Sequence, residues 1–183
     1  MNLVSSTAAP ASAPAGGAID SSLSHGSRQF LTFVLGGEVF AIGILSIKEI
    51  IEYASLTRVP MMPEYVRGVI NLRGAVVPVL DLSVRFGREP STVGKRTCIV
   101  IIEVQTGGVH QEMGVVVDAV NSVLEIAPSQ IEPPPAFGAR IRTDFIHGMG
   151  KVDGKFVIIL DVEHLLAAEE IEQLAEAASA SEA

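Results

Sequence analysis

An internal repeat constrains the fold of this chain more than any other feature of its sequence. Residues 65–86, YVRGVINLRGAVVPVLDLSVRF, align with residues 145–166, FIHGMGKVDGKFVIILDVEHLL, at a constant offset of 80 positions. The upstream segments VFAIGILSIKEI and VVVDAVNSVLEI align at an offset of 76. The pattern predicts two copies of one small β-barrel unit, residues 29–94 and residues 95–166. Three matches fix the longer alignment: Gly68 with Gly148, Gly74 with Gly154 and Asp81 with Asp161.

Branched aliphatic residues between glycine turns indicate that the repeated unit consists of β-strands. The runs FLTFVL and EVFAIGI flank Gly36-Gly37, which predicts a hairpin. The runs CIVIIEV and MGVVVDAV flank a loop that contains Gly107-Gly108 and predict a second one. Short strands with such turns are typical of barrels and sandwiches. We therefore expect a mainly all-β fold with short helices.

The two ends of the chain differ from its body. Residues 1–28 are rich in Ala, Ser, Pro and Gly, which predicts a flexible tail, because few large apolar groups offset the cost of ordering. Residues 167–183 combine strong helix formers with acids and predict an acidic C-terminal helix and tail. Residues 156–183 carry seven acids and no Lys or Arg, whereas the chain before them has 14 acids and 13 bases, so the nearly neutral body is a poor binder of nucleic acid.

Composition also indicates the cellular setting. The sequence has no run of about 18 apolar residues and no secretory signal pattern, so we predict a cytoplasmic protein without direct membrane insertion. The one cysteine, Cys98, excludes an intrachain disulfide and fits a reducing compartment.

The two copies differ at one turn and in the strand that follows it. The second copy has Asp153-Gly154, a favoured hairpin pair, and then the unbroken strand FVIIL. The first copy has Arg73-Gly74, and Pro78 in its next strand lacks a backbone donor and predicts an edge left unpaired. We expect Arg73 at an exposed turn tip, without a backbone role, where its long cationic side chain can anchor an interface. The predicted structural turn residues are Gly68, Asn71, Gly74, Asp153 and Gly154.

No group of residues supports catalysis. The segment GREPSTVGKR is superficially similar to a phosphate-binding loop, but its glycine spacing is wrong and Arg96 replaces the hydroxyl that would hold magnesium. Asp81 and Asp161 end strands before helical segments, which predicts helix N-caps. We therefore predict no enzymatic activity, no metal and no cofactor. The histidines lack the spacing of metal ligands; they are His25, His110, His147 and His164.

Four of these segments resemble a known family. GVINLRGAVVPVLDL, FAIGILSIKEII, GVVVDAVNSVLEI and FIHGMGKVDGKFVIILDVEHLL are similar in order and spacing to the bacterial chemotaxis coupling protein CheW family, over about residues 29–178. The resemblance implies two intertwined five-stranded SH3-like β-barrels. It also implies a scaffold, or adaptor, that joins chemoreceptor (methyl-accepting chemotaxis protein) cytoplasmic tips to the regulatory domain of the histidine kinase CheA. Such a protein is recruited to membrane receptor arrays.

The resemblance places a receptor-docking groove between the barrels, where aliphatic side chains would anchor a receptor helix. The candidate anchors are Ile47 and its repeat counterpart Val123, for which ordinary core packing is the alternative. Val69 would line the approach and Arg73 would orient the helix. Glu49 completes the candidate receptor-binding set, and no residue is assigned to kinase binding.

A second function remains open at this point, namely a β-barrel that binds a small ligand in an apolar cavity. A hydrophobic content of 48% and a mean hydropathy of +0.42 fit either exposed apolar interfaces or a lined cavity. Trp is absent and aromatic residues make up 5% of the chain, which disfavours stacking pockets but not aliphatic grooves. The scaffold is the preferred interpretation.

Overall fold

The computed structural model describes residues 27–106, 108–134 and 145–166, together with helical residues at 170, 173, 174 and 176. Most of the predicted N-terminal tail and most of the predicted C-terminal helix lie outside these residues. The described part consists of strands joined by short turns, with a four-residue helix after β5 in addition to the helical residues near the C-terminus. The strands are β1 (Arg28–Leu35), β2 (Glu38–Gly43), β3 (Ile47–Glu52), β4 (Val66–Leu72), β5 (Ala75–Asp81), β6 (Cys98–Thr106), β7 (Val109–Val117), β8 (Ala119–Ile126), β9 (Ile131–Glu132), β10 (Ile146–Val152) and β11 (Lys155–Leu160). The helix α1 is Leu82–Arg85, and 3-10 turns lie at Ile44–Ser46, Pro128–Gln130 and Val162–His164.

The strands form two sheets, and each sheet takes strands from both copies of the repeat. The five-stranded sheet has the order β3-β6-β7-β5-β4, and the six-stranded sheet has the order β8-β1-β2-β11-β10-β9. Two parallel pairings, β5 with β7 and β11 with β2, join one copy to the other. Both predicted hairpins, β1–β2 and β6–β7, are present. The all-β fold is confirmed, whereas the division after residue 94 separates no sheet and stays a prediction as a domain boundary.

The strand order itself repeats. Counterparts in the two copies are β1 and β6, β2 and β7, β3 and β8, β4 and β10, and β5 and β11. Exchanging each strand of the five-stranded sheet for its counterpart gives β8-β1-β2-β11-β10, which is the order of the six-stranded sheet without β9. Strand β9 also has a counterpart in the first copy. Glu132 of β9 pairs with Met149, and Thr57 forms a single bridge with Val69, which is the repeat counterpart of Met149. The duplication that the sequence predicts is therefore present in the fold.

Three apolar clusters stabilise this arrangement. The largest contains residues of both sheets and so lies between them. The rings of Phe33, Phe40, Phe86 and Phe145 follow one another through it with centroids 5.7 to 6.0 Å apart. One smaller cluster lies within each sheet. Since burial contributes roughly 25 cal/mol per Å² of apolar surface, the sheets cannot separate without exposing the central cluster at high cost.

The expectation that Pro78 marks an unpaired edge is wrong. Strand β5 lies between β4 and β7, and Pro78 is buried. Its partner in β4 is Val69, whose backbone exchanges hydrogen bonds with Thr57 on the opposite side. The nitrogen of Pro78 therefore points away from β4, towards β7. Pairing with β7 begins one residue later, at Val79, so the missing donor is tolerated there.

The matched glycines Gly68 and Gly148 are required by close approach of a neighbouring segment. A side-chain carbon on Gly68, whose φ is +155°, would lie 2.6 Å from the carbonyl oxygen of Thr57. One on Gly148 would lie 2.6 Å from Cγ2 of Ile131. Gly68 lies inside β4, next to a register shift, rather than in the turn. Its repetition therefore reflects packing of the adjacent segment.

Arg85 fastens the C-terminal segment to the body. Its Nε donates to the carbonyl oxygen of Leu165 at 2.8 Å, and its two terminal nitrogens donate to Glu170 at 3.0 and 3.1 Å. The guanidinium carbon lies 4.9 Å from the ring centroid of Tyr65 and 5.1 Å from that of Phe145. Since Tyr65 and Phe145 are repeat counterparts, this cluster connects both copies to the C-terminal segment.

Candidate functional site

The β4–β5 turn has the same backbone as the β10–β11 turn but carries a different residue. Arg73 and Gly74 have φ values of +56° and +87°, and Asp153 and Gly154 have +51° and +77°. Positive φ at both central positions defines a type I′ turn, which suits a two-residue hairpin. Asp adopts this conformation more readily than Arg, because a short polar side chain can bond locally. Contrary to expectation, Arg73 therefore has a backbone role, at a local cost of about 1 to 2 kcal/mol.

Asn71 supports the first of these turns. Its Oδ1 accepts a hydrogen bond from the backbone N–H of Gly74 at 3.0 Å. A side-chain amide in this position supplements the backbone bonds of a turn. The Arg73 side chain is therefore not needed to hold the turn and extends from it.

The Arg73 side chain forms an ion pair with Glu49 of β3. Nη2 of Arg73 lies 2.6 Å from Oε2 of Glu49, and 80% of the Arg73 side chain is exposed against 21% for Glu49. The strands β3 and β4 are opposite edges of the five-stranded sheet, so the sheet curls enough for the hairpin to reach the far edge. Ion pairs exposed to this extent contribute at most about 1 kcal/mol to stability. Most of the guanidinium therefore stays accessible to a partner.

The apolar candidates occupy different environments. Ile47 is partly buried and packs against the central cluster, so core packing accounts for part of its side chain. Val69 is buried in β4, with 7% of its surface exposed. Val123 is 47% exposed and lies on β8, an edge of the other sheet. The structure thus brings Arg73 and Glu49 into direct contact, with Ile47 two residues away along β3.

Two exposed apolar side chains near this set escaped the sequence analysis. Ile50 of β3 is 43% exposed, and Leu45 of the 3-10 turn before β3 is 98% exposed. The exposure of Ile50 could have been predicted from the alternation of side chains along a strand. In IKEIIE, Ile50 lies on the same side as the charged residues Lys48 and Glu52. No comparable pattern marks Leu45, since the 3-10 turn interrupts the period of the strands.

A charge cluster lies on the outer surface of β3, β6 and β7. Nζ of Lys48 lies 3.1 Å from Glu103 and 3.8 Å from Glu112, and Nδ1 of His110 lies 2.9 Å from Glu103. The hydrogen bond with Glu103 is the main cause that raises the pKa of Lys48. The same bond, followed by that with His110, lowers the pKa of Glu103. The cluster is solvated and mutually neutralising, which makes it a minor contributor to stability.

Asp81 does more than cap the helix α1. Its carboxylate accepts hydrogen bonds from the backbone N–H of Ser83 at 3.0 Å and from the N–H and hydroxyl of Ser91, both at 2.9 Å. It also pairs with Nη1 of Arg67 at 3.2 Å and is 1% exposed. The counterpart Asp161 caps the 3-10 turn Val162–His164 and remains partly exposed. Both N-cap predictions are confirmed, and the Asp81 cluster is a fully bonded structural centre.

The structure gives little support to a buried small-ligand site. The interior of the five-stranded sheet is filled by aliphatic side chains that are 0 to 9% exposed. The clefts beside Arg67 and Arg88 have volumes of about 370 and 630 Å³ and lie at the surface. Among the residues that the structure describes, no three His, Cys, Asp or Glu side chains are grouped to hold a metal ion. None of the helices in the described ranges is long and apolar enough to cross a membrane.

These features define an all-β protein whose distinctive surface is a charged turn with exposed aliphatic side chains nearby. The model of the CheW-like domain family matches residues 29–170. The chain therefore belongs to the CheW-like domain family.

Curated relatives and a solved structure agree with this assignment. The chemotaxis protein CheW of Klebsiella aerogenes is 35% identical over 144 residues, which cover 79% of this chain and 84% of the relative. The chemotaxis protein CheW of Bacillus subtilis is 33% identical over 140 residues, covering 76% and 86%. The crystal structure of the scaffolding protein TtCheW from Thermoanaerobacter tengcongensis matches with a TM-score of 0.70 and 36% identity, covering 78% of this chain and 90% of that one. Proteins of this family are non-catalytic, so this chain is a chemotaxis scaffold and not an enzyme.

Proposed function

We propose that this protein couples the cytoplasmic tips of chemoreceptors to the regulatory domain of the histidine kinase CheA, in the cytoplasm at membrane receptor arrays. One observation carries the receptor side of this proposal: Arg73 is 80% exposed and adopts a φ of +56°. A non-glycine residue held in such a conformation is a reason to look for a function. The fold itself does not require arginine, because Asp153 makes the same turn in the second copy.

The receptor partner would be a helix, bound in the helix-in-groove mode. Ile47 and Val123 are the proposed anchors, and Ile50, in the same strand as Ile47, is 43% exposed. Buried Val69 would support the β4 strand beneath the site rather than touch the helix. An array of aliphatic side chains suits this partner, because a helix presents its own aliphatic residues every three to four positions.

Arg73 would orient the bound helix. Its guanidinium can bind a carboxylate bidentately while its stem packs on apolar surface. Glu49 already holds one terminal nitrogen at 2.6 Å, which fixes the direction of the side chain before the receptor arrives. A side chain that is positioned in advance loses less rotational freedom on binding, and this raises affinity.

The kinase would bind through surfaces related to those of its own regulatory domain, whose fold the family resembles. No residue is assigned to this contact. Signal transfer would be a shift in populations: receptor state changes how the kinase is held, and no covalent bond is made or broken in the scaffold.

Titration of the purified full chain with a receptor tip fragment, and separately with the kinase regulatory domain, tests the proposal. Val123→Asp should weaken receptor binding at least about tenfold, because a charge is placed at an apolar contact. The matched control is Val93→Asp, which changes a valine of similar exposure, 45% against 47%, in the loop before β6. Failure of the unmodified chain to bind either partner, or equal receptor binding by the two variants, would contradict the proposal.

A further inference from the structure

The strand β8, which carries Val123, has a β-bulge directly before that residue. Leu31 of β1 pairs with Val123, but Phe33 of β1 pairs with Val120. Residues 121 and 122 of β8 together therefore face a single residue of β1, and neither has a partner in the ladder. Bulges of this kind are common beside functional sites, where they change the direction of a side chain.

The bulge determines which face of the sheet Val123 occupies. Side chains alternate along a regular strand, so two residues three positions apart point to opposite faces. Val120 and Val123 nevertheless share a face, because their partners Phe33 and Leu31 both belong to the central apolar cluster. Val120 packs against that cluster, whereas Val123 remains 47% exposed at the edge of the sheet. Without the bulge, Val123 would point to the other face of the sheet from Val120.

The side chain of Thr32 holds this bulge in place. Its Oγ1 donates a hydrogen bond to the carbonyl oxygen of Ser122 at 2.8 Å and accepts one from the N–H of Ser122 at 3.2 Å. A hydroxyl can donate and accept at once, so one side chain bonds both backbone groups of a residue that the ladder leaves out. Thr32 is 2% exposed, and breaking these bonds would leave its hydroxyl buried without a partner, which is costly.

The first copy has a similar irregularity before its own proposed anchor. Ile47, the repeat counterpart of Val123, directly follows the 3-10 turn Ile44–Ser46. There the N–H of Ile47 donates to the carbonyl oxygen of Ile44, so a backbone bond closes the turn. Both proposed anchors therefore follow a break in regular strand geometry. In the second copy, a side chain makes the bonds that fix the break.

We propose that Thr32 is a positioning residue for receptor recognition, because its hydroxyl fixes the bulge that directs Val123 towards the receptor helix. The inference rests on the proposed function, in which Val123 is an apolar anchor. Ser122 is exposed, so water can replace the lost hydroxyl and the fold survives its removal. Water does not fix the bulge at one position, however, and the bulge can then move by a residue along β8. Val123 is correctly directed in only a fraction of such molecules, and receptor affinity falls by that fraction.

Titration of a receptor tip fragment into the full chain carrying Thr32→Val tests the proposal, because valine keeps the shape of threonine and lacks its hydroxyl. Thr32→Val should bind at least about fivefold more weakly, whereas Thr32→Ser, which keeps a hydroxyl, should stay within about twofold of the unmodified chain. Ser91→Ala is the matched control. The Ser91 hydroxyl is also buried and makes two hydrogen bonds, to Asp81 and Ser83, but it lies in the loop before β6. It should lower Tm and leave receptor affinity unchanged. Equal weakening by Thr32→Val and Ser91→Ala, or no weakening by Thr32→Val, would overturn the proposal.

A double substitution shows whether Thr32 acts through Val123. In a chain that already carries Val123→Ala, Thr32→Val should weaken receptor binding no further, because the side chain that it directs is absent. A full additional loss of affinity would mean that Thr32 affects the receptor by another route, and would overturn the proposal.

The role of the hydroxyl is also tested without any receptor. In Thr32→Val, hydrogen exchange of the Ser122 amide should be at least about tenfold faster, because the bond that protects it is gone. The NOE between the methyl groups of the register partners Val123 and Leu31 should weaken as well. An unchanged exchange rate and an unchanged NOE would overturn the proposal. If the unmodified chain does not bind the fragment, the receptor function fails, while these two measurements still decide whether Thr32 directs Val123.

Discussion

Replacement of Arg73 by alanine should separate partner binding from folding. The stability change follows from two structural terms. Loss of the exposed ion pair with Glu49 costs about 0.2 to 1 kcal/mol. The backbone term is nearly unchanged, because alanine has the same β-carbon clash at a φ of +56°. Since 1 kcal/mol corresponds to about 2 to 4 °C in a protein of this size, we expect Tm to fall by at most about 4 °C.

Receptor binding should change much more than Tm. An arginine at the centre of an interface can contribute more than about 2 kcal/mol, equivalent to about a 30-fold loss of affinity. The assay is calorimetric titration of a receptor tip fragment, with a thermal melt on the same preparation. Asp153→Ala is the matched control, because Asp153 makes the same turn in the second copy without a comparable partner surface being proposed there. Arg73→His should behave like Arg73→Ala, since the shorter ring cannot reproduce the bidentate fork.

Two results would refute this reasoning. A fall in Tm of about 10 °C or more for Arg73→Ala would mean that the arginine is structural, and that the weakened binding reflects unfolding. Equal receptor affinities for Arg73→Ala and Asp153→Ala, with both folded, would mean that the turn arginine does not contact the receptor. In that case the strained turn would have a cause other than receptor recognition.

Three further predictions concern the body of the fold. Pro78→Ile should lower Tm, because a larger side chain overpacks a buried site. It should not promote self-association in sedimentation runs at rising concentration, because β5 is not a free edge. A growing dimer fraction would restore the edge interpretation. Asp81→Asn should lower the free energy of unfolding, measured in urea, by about 3 kcal/mol, since it leaves Arg67 without its buried partner. Asp161→Asn should lower it by less than about 1 kcal/mol, because only a cap is affected. Equal losses would contradict the difference between the buried and the exposed aspartate. Burial, and then the hydrogen bond to Glu170, raise the pKa of Tyr65 above its ordinary value of 10.0, so the folded state keeps a proton that the unfolded state releases. Stability should therefore fall as the pH rises above about 10, and Tyr65→Phe should reduce the slope of a urea-melt series over that range; an unchanged slope would exclude Tyr65 as its source.

Local structure was predictable because it depends on neighbours in sequence. The glycine pairs located both hairpins, and the aspartates at matched strand ends located both caps. Pairing between copies was not predictable in the same way. The parallel contact of β5 with β7 joins residues more than thirty positions apart, and no local pattern specifies it. Pro78 was misinterpreted for this reason, since its neighbour across the sheet comes from the other copy.

The candidate site shows the same limit. The Arg73 turn tip could be read from the repeat, because Gly74 matches Gly154. Its positive φ could not, since arginine has no statistical preference for that conformation. The ion pair with Glu49 spans 24 residues and depends on the curl of a whole sheet. The exposure of Leu45 likewise follows from a 3-10 turn that only tertiary packing determines.

The repeat provides an internal control for interpreting these differences. Two copies that fold alike share the same backbone requirements, so a residue that both copies keep, such as Gly68 with Gly148, is explained by packing. A residue that differs while the backbone stays the same has no such explanation. Arg73 and Asp153 differ by only 5° in φ, yet one extends a charged side chain to the far edge of its sheet and the other supplies a short turn residue. The divergence therefore points to a requirement that acts on the first copy alone, as recognition of a partner by that surface would.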